Sequence, residues 1–239
     1  MIPIIVLSVI FFGIGFILNK NNAKYLLSGY NTMSEDEKSN FNLDLYLVFF
    51  RKFHLILSIS LLIVATVLHF WINSIWSSIF LLLYPLCSYT FFMWKSNTYY
   101  NNISKNRKII TYGGVAFMST ITLIIVFDLS KTLEENQFLN HSNLIEITGE
   151  YGVKISKDNI KNINLVASYP QISYKSNGFS LGYVKKGNFI TNKKKEVKLL
   201  INSQKTPLIV IITKDNQEIY YSSKDKSNQE IYKEMILML

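Results

Sequence analysis

Cysteine is almost missing from this 239-residue chain: Cys87 stands alone, so no disulfide can close within it. Cys87 lies in an apolar run, where a thiol reads as a small packing residue and not as a nucleophile. Histidine occurs only as His54, His69 and His141, and none has the Cys or acid partners that a zinc site needs. No Gly-rich phosphate loop, nucleophile elbow or zinc-protease helix is present. These absences argue against an enzyme and against any cofactor. The most informative absence is of charge. Four stretches, roughly Ile2 to Leu18, His54 to Trp71, Trp76 to Trp94 and Ile109 to Phe127, contain no Asp, Glu, Lys or Arg.

Each stretch has about 17 to 19 residues, which at the helical rise of about 1.5 Å reaches roughly 26 to 28 Å, close to the hydrocarbon thickness of a bilayer. Four such runs in succession predict a multi-pass membrane protein. The apolar half ends near Asp128, and the composition then turns polar, so the chain reads as a four-helix transmembrane domain over 1–128, a linker over 129–141 and a soluble β domain over 142–239. Nine Lys/Arg and five acids fall in the first 128 residues, sixteen Lys and eleven acids in the rest, which together give the formal +9. The abundance of Lys, Asn and Ile beside only two Arg suggests a bacterium with an AT-rich genome.

The cations between the runs alternate. None precedes the first run; five (Lys20, Lys24, Lys38, Arg51, Lys52) follow it; none lies in the turn Ile72 to Ile75; four (Lys95, Lys105, Arg107, Lys108) precede the last. Because Lys and Arg favour the cytoplasmic side, both basic loops are expected there, in the bacterial inner membrane. The N-terminus, the turn at Asn73 and the C-terminal domain are then expected outside the cytoplasm. The first run lacks a basic segment before it and a small-x-small site after it, so it reads as an uncleaved helix and not as a signal peptide. Phe70, Trp71, Trp76 and Trp94 suit the interfaces. His54 and His69 could each be a functional intramembrane group, but both lie near span ends, where water can reach them, which favours a structural reading. Pro85 predicts a kink, and Gly113, Gly114, Ala116, Ser119 and Thr120 give the last span a side suited to close packing.

The first basic loop contains Gly29-Tyr30-Asn31-Thr32-Met33-Ser34-Glu35-Asp36-Glu37-Lys38. Gly29 is suited to end a helix, and Ser34 with Glu37 forms a capping box that should start another. Phe41, Leu45 and Phe49 then predict an amphipathic helix along the inner surface. This run, directly behind a first membrane helix, resembles a bacterial membrane-protein family catalogued as a domain of unknown function, over about residues 1 to 127. The resemblance implies architecture alone.

From Asn143 onward short β-rich pieces alternate with turn residues: Leu144 to Thr148, Tyr151 to Ile155, Asn162 to Ala167, Ile172 to Lys175, Ser180 to Val184, Val197 to Asn202, Leu208 to Thr213 and Glu218 to Ser222. Asn177-Gly178 predicts a hairpin and Lys186-Gly187-Asn188 a further turn. Ser227 with Glu230 predicts a capped terminal helix whose apolar side is Ile231, Met235 and Leu239, with Tyr232 and Ile236. The expected fold class is α+β: transmembrane helices followed by an antiparallel barrel or bent sandwich plugged by the helix.

That order, together with Tyr151-Gly152, Asp158-Asn159-Ile160, Pro170, Ser176-Asn177-Gly178, Gly182, Lys186-Gly187-Asn188-Phe189, Val197-Lys198-Leu199, Pro207 and Tyr232, resembles a bacterial version of the pleckstrin-homology domain. The resemblance implies a binding or assembly module without cofactor. The densest charge is Lys185, Lys186, Lys193, Lys194 and Lys195, expected on neighbouring loops where their potentials would add toward an anionic partner. The expected function is non-enzymatic: a membrane protein displaying an extracytoplasmic module that binds a peptide, an envelope protein or an anionic envelope component, as a sensor, assembly factor or immunity-type protein. Nucleic acid is not an expected partner. The rival reading is a small membrane enzyme or a transporter or permease accessory subunit; acids or histidines at matching depth in the spans would favour it, and the sequence has none.

Overall fold

The computed structural model describes residues 1–27, 30, 31 and 33–237. The chain divides into two compact units, Met1–Val126 and Phe127–Leu239.

The first unit is helical. Helix α1 (Ile2–Ile17) is followed by single turns α2 (Ala23–Leu26) and α3 (Glu35–Ser39). The long helices are α4 (Leu43–Val67, extended by a π-helical turn to Ile72), α5 (Ser74–Ser96) and α6 (Lys105–Thr132). Among the described residues, three helical segments are long and apolar enough to cross a membrane: Leu43–Ile72, Ser74–Tyr99 and Lys105–Thr132. The expected first span is not among them. At 16 residues α1 extends about 24 Å, short of the roughly 30 Å hydrocarbon core.

Helix α1 lies along α4, and small residues allow the approach. A Cβ on Gly15 would come 3.2 Å from the His54 Cβ. Ile4 and Ser8 of α1 are buried, as are Leu57, Leu61 and Ala65 of α4. Ser77 at the start of α5 donates to the Ala65 carbonyl at 2.8 Å, a bond worth making where no water competes. Helix α5 continues through Pro85.

The capping box forms: Ser34 Oγ accepts from the Glu37 N–H and the Glu37 carboxylate from the Ser34 N–H, both at 3.2 Å. The amphipathic helix expected behind it does not. α3 stops at Ser39, and Asn42 caps α4 by accepting from the Leu45 N–H at 3.1 Å. Phe41 falls in the break, while Leu45 and Phe49 belong to α4. Phe41 forms an isolated bridge with Tyr100, their rings 4.6 Å apart. The Asn42 N–H donates to the Tyr99 carbonyl and the Asn101 N–H to the Asn40 carbonyl, both at 2.8 Å. Arg107 covers the Tyr100 ring at 4.5 Å and donates to its hydroxyl at 2.5 Å. The two basic loops therefore meet on one end of the helical unit. The cap expected at Gly29 lies outside the described residues.

The second unit contains nine strands and a helix among its described residues. β1 (Phe138–Asn140), β2 (Leu144–Ile147) and β3 (Val153–Ser156) form one antiparallel sheet. The other sheet comprises β4 (Ile160–Val166), β5 (Ile172–Leu181), β6 (Val184–Thr191), β7 (Glu196–Ile201), β8 (Leu208–Thr213) and β9 (Glu218–Ser222), in the order β4-β8-β9-β7-β6-β5. Helix α7 (Asn228–Ile236) follows.

The uninterrupted apolar strings Leu199-Leu200-Ile201 and Leu208 to Ile212 show why this sheet is covered on both faces. Side chains alternate along each strand. Leu200, Ile209, Ile211, Ile219 and Tyr221 pack with Ile145 and Ile147 of the smaller sheet and with Ile231 and Met235 of α7. Leu199, Ile201, Leu208, Val210 and Tyr220 point the other way, where Tyr169 and Ile172 pack on them.

Several expectations fail here. The sheets are open, with β4 and β5 as edges, so there is no closed barrel. β7 and β9 pair in parallel, so the large sheet is not wholly antiparallel. Asn177-Gly178 is no turn: Gly178 pairs with Gly187 inside the β5/β6 ladder, and the hairpin turns at Gly182-Tyr183. A Cβ on Gly187 would lie 2.4 Å from the Asn177 carbonyl oxygen and 2.5 Å from the Gly178 Cα, so both glycines serve a close strand approach beside a bulge. Gly182, at φ 56, supplies the positive φ a two-residue hairpin needs at its first central position. Lys186-Gly187-Asn188 therefore lies within β6. Finally, Ser227 caps α7 without a side-chain bond, and Ile236 is 43% exposed while Met235 and Ile231 are buried. Leu239 lies outside the described residues.

The stretch 129–141 holds the last turn of α6, β1 and three fixed residues. Lys186 Nζ donates to the Glu134 carbonyl. Glu135 accepts from Ser223 Oγ at 2.5 Å and the Lys224 N–H at 2.6 Å. These bonds hold its carboxyl below the usual range although burial pushes it up. Fully buried Asn136 donates through Nδ2 to the carbonyls of Thr148 (2.6 Å) and Glu150 (2.9 Å), and its own carbonyl accepts from the Tyr221 hydroxyl at 3.0 Å.

Candidate functional site

Between β4 and β5 the chain crosses one face of the large sheet as residues 167–171. A cleft of about 740 Å³ opens between this crossover and the sheet, within the size range of small-molecule sites. Its apolar walls are Tyr169, Pro170 and Ile172 on one side, Ile201 and Leu208 on the sheet, and Tyr183 from the β5/β6 turn. Ser168, Gln171, Ser203, Gln204 and Thr206 supply polar groups. Among the described residues, Lys185 is the one charged residue in the lining, with no acid beside it there. Its Nζ donates to Ser180 Oγ at 3.3 Å. Burial among apolar walls holds the Lys185 ammonium below its ordinary pKa, because the charged form loses hydration it does not recover. Burial likewise pushes the Tyr169 phenol up.

The five lysines singled out from sequence do not form one surface. Lys185 pairs with Ile201 and Lys186 with Leu200, so alternation along β6 sends them to opposite faces. Lys185 reaches the cleft, whereas Lys186 is 1% exposed. Burial lowers the Lys186 pKa to about 8, against the opposing pull of Glu150, Glu134 and Glu135. Lys193, Lys194 and Lys195 do sit at a tip, the turn between β6 and β7. At about 3.3 Å per residue, that turn lies roughly 20 Å along β6 from Lys185. Lys193 and Lys194 are exposed, and Lys194 takes φ 60. Lys195 pairs with Glu218 at 2.6 Å. Burial would raise the Glu218 carboxyl, but the bonds from Lys195 and Tyr220 outweigh it and hold it below the usual range.

Tyr183, Gln204 and Thr206 were not singled out from sequence, and Tyr169 only as part of a Tyr169-Pro170 turn. Only Tyr169-Pro170, an aromatic next to a proline in an otherwise polar connection, carried a local signal. In the helical unit, buried His54 has both ring nitrogens engaged, Nδ1 with the Phe50 carbonyl at 2.7 Å and Nε2 with the Tyr89 hydroxyl at 3.0 Å, which is a packing role. Among the described residues, no group of His, Cys, Asp or Glu is placed to hold a metal ion.

Residues 5–100 match the family model described as Domain of unknown function (DUF3784). The match runs from α1 to the loop after α5 and takes in the Gly29 to Lys38 run, so the chain is similar to that family over its helical part, short of α6. No curated protein and no solved structure matches the chain.

Proposed function

We propose that this is a non-enzymatic protein of the bacterial inner membrane whose β unit is displayed outside the cytoplasm as a binding module. The cleft carries the reading: a slot of mixed apolar and polar walls, with one cation and no acid in its lining among the described residues, suits holding a ligand rather than transforming it. The side of the membrane follows from the basic loops. Four cations lie between Lys95 and Lys108, immediately before α6. With that loop cytoplasmic, α6 leads outward whether or not the shorter α1 crosses. The junction of the two basic loops through Phe41, Asn42, Tyr99 and Tyr100 supports their sharing one side.

Kinship with pleckstrin-homology modules is part of the proposal. It is supported by the residue series from Tyr151-Gly152 to Tyr232 and by the strands ending in α7. The expected partners are the bilayer and a peptide, envelope protein or anionic envelope component, with the protein acting as a sensor, assembly factor or immunity-type protein. Reporter fusions test the threading. Fusions at Asn73 and Leu239 should report the extracytoplasmic side and one at Lys105 the cytoplasm. A cytoplasmic Leu239 overturns the display of the module.

A further inference from the structure

We infer that the cleft under the crossover takes an apolar peptide by its free C-terminal carboxylate, with Lys185 as the counter-ion, an assignment that rests on the binding-module reading above. The occupant is specified by what the walls offer. Among the described residues, Lys185 is the only charged group in the lining and its ammonium has a single hydrogen-bond partner, Ser180 Oγ at 3.3 Å. One monoanionic group is therefore the complement. Lys185 is half-buried, so its ammonium has lost part of its hydration, and an incoming carboxylate replaces it with a charge-assisted bond.

Away from Lys185 the slot is mixed. Tyr169, Ile172 and Leu208 favour apolar side chains. Gln204 and Thr206 offer donors and acceptors on the same lining. A peptide backbone alternates donors with acceptors and carries side chains between them, so it answers both kinds of wall. An acyl chain would use neither of these polar groups, both on exposed residues. A volume of about 740 Å³ accommodates a short peptide end and not a folded partner. The exposed lysines of the β6/β7 turn lie outside this lining and have no part in the site.

The test uses the full chain in nanodiscs of zwitterionic lipid, immobilised and washed with a library of acetylated tetrapeptides of valine, leucine, phenylalanine and alanine. The library is prepared with free carboxyl ends and again with amidated ends, and palmitate is run beside it. Retained species are quantified by mass spectrometry. The free acids should be retained about ten-fold more strongly than the amides, the lower end of what a hydrogen bond to a charged group supplies. Lys185→Gln should abolish that preference, Lys185→Arg should keep it, and Lys194→Gln should leave it unchanged. Equal retention of acids and amides overturns the assignment, as does a preference that survives Lys185→Gln or is lost in Lys194→Gln. Retention of palmitate without peptide makes the cleft a lipid site and also overturns it. The fusions read the side of the membrane whatever the cleft holds, so failure here and failure of the displayed-module reading are separable.

Discussion

Lys186 gives the sharpest quantitative expectation, because a cation that is 1% exposed should make stability depend on pH in a defined window. Its pKa is about 8 in the folded chain against 10.5 for a free lysine. Below pH 8 both folded and unfolded chains hold the proton, and the buried charge is a constant cost. Between pH 8 and 10.5 the unfolded chain still binds the proton while the folded one has released it. Stability therefore rises with pH, at about 1.4 kcal/mol per pH unit. Over the interval from about 8 to 10.5 the gain is about 3 kcal/mol. Above 10.5 it levels off. Substitution of Lys186 by Met removes the titrating group but keeps a long side chain under the sheet. The variant should be at least as stable as the wild type at pH 7, despite the bond lost at the Glu134 carbonyl, because replacing a buried charge by an apolar group is commonly neutral or stabilising. The measurement is urea unfolding of residues 130–239, which contain both apolar cores of the second unit and are expected to fold without the helices, followed by far-UV circular dichroism from pH 7 to 11. Taking the difference between wild type and variant at each pH cancels the other lysines and tyrosines. A difference that stays flat across the window would refute the reasoning and would mean that water reaches the Lys186 ammonium.

Two further outcomes follow from burial in the same unit. Met235→Lys forces a charge into the core beneath α7 and should cost more than about 4 kcal/mol, enough to abolish cooperative melting of residues 130–239, whereas Ile236→Lys, at a position 43% exposed, should change stability by less than about 0.5 kcal/mol. Asn136→Ala removes two bonds and leaves the Thr148 and Glu150 carbonyls without that donor, so it should lower stability by about 2 to 4 kcal/mol, read as a shift in the urea midpoint.

Much of the fold was legible because its strongest signals are local. Charge-free runs marked α4, α5 and α6, and Leu208–Thr213 and Glu218–Ser222 are strands with the limits read from sequence. What misled were residues with two uses. Glycine serves a turn through its positive φ and a strand through its missing side chain. At Gly178 and Gly187 the second use applies, and composition cannot distinguish them. That one ambiguity hid β6 and moved Lys185 and Lys186 from an expected loop into a strand, where alternation separated them. The run from Phe41 to Phe49 has helical spacing, yet Asn42 ends one backbone path and caps the next. The cleft was illegible for a different reason. Tyr169, Tyr183 and Gln204 are distant in sequence and meet because the sheet places β6 beside β7 and β8 beside β4, an order set by long-range pairing.

The sheet covered on both faces also has a consequence for the order of synthesis. Leu208 to Ile212 is an uncharged, proline-free string of strong strand formers, the composition that pairs with copies of itself when left bare. In the finished chain Ile209 and Ile211 are shielded by Ile231 and Met235 of α7, which the ribosome makes only afterwards. A nascent chain that has passed β8 but not α7 carries an uncovered adhesive strand. Quick completion, or capture of that strand by β4 and β9, decides whether the newborn protein folds or aggregates.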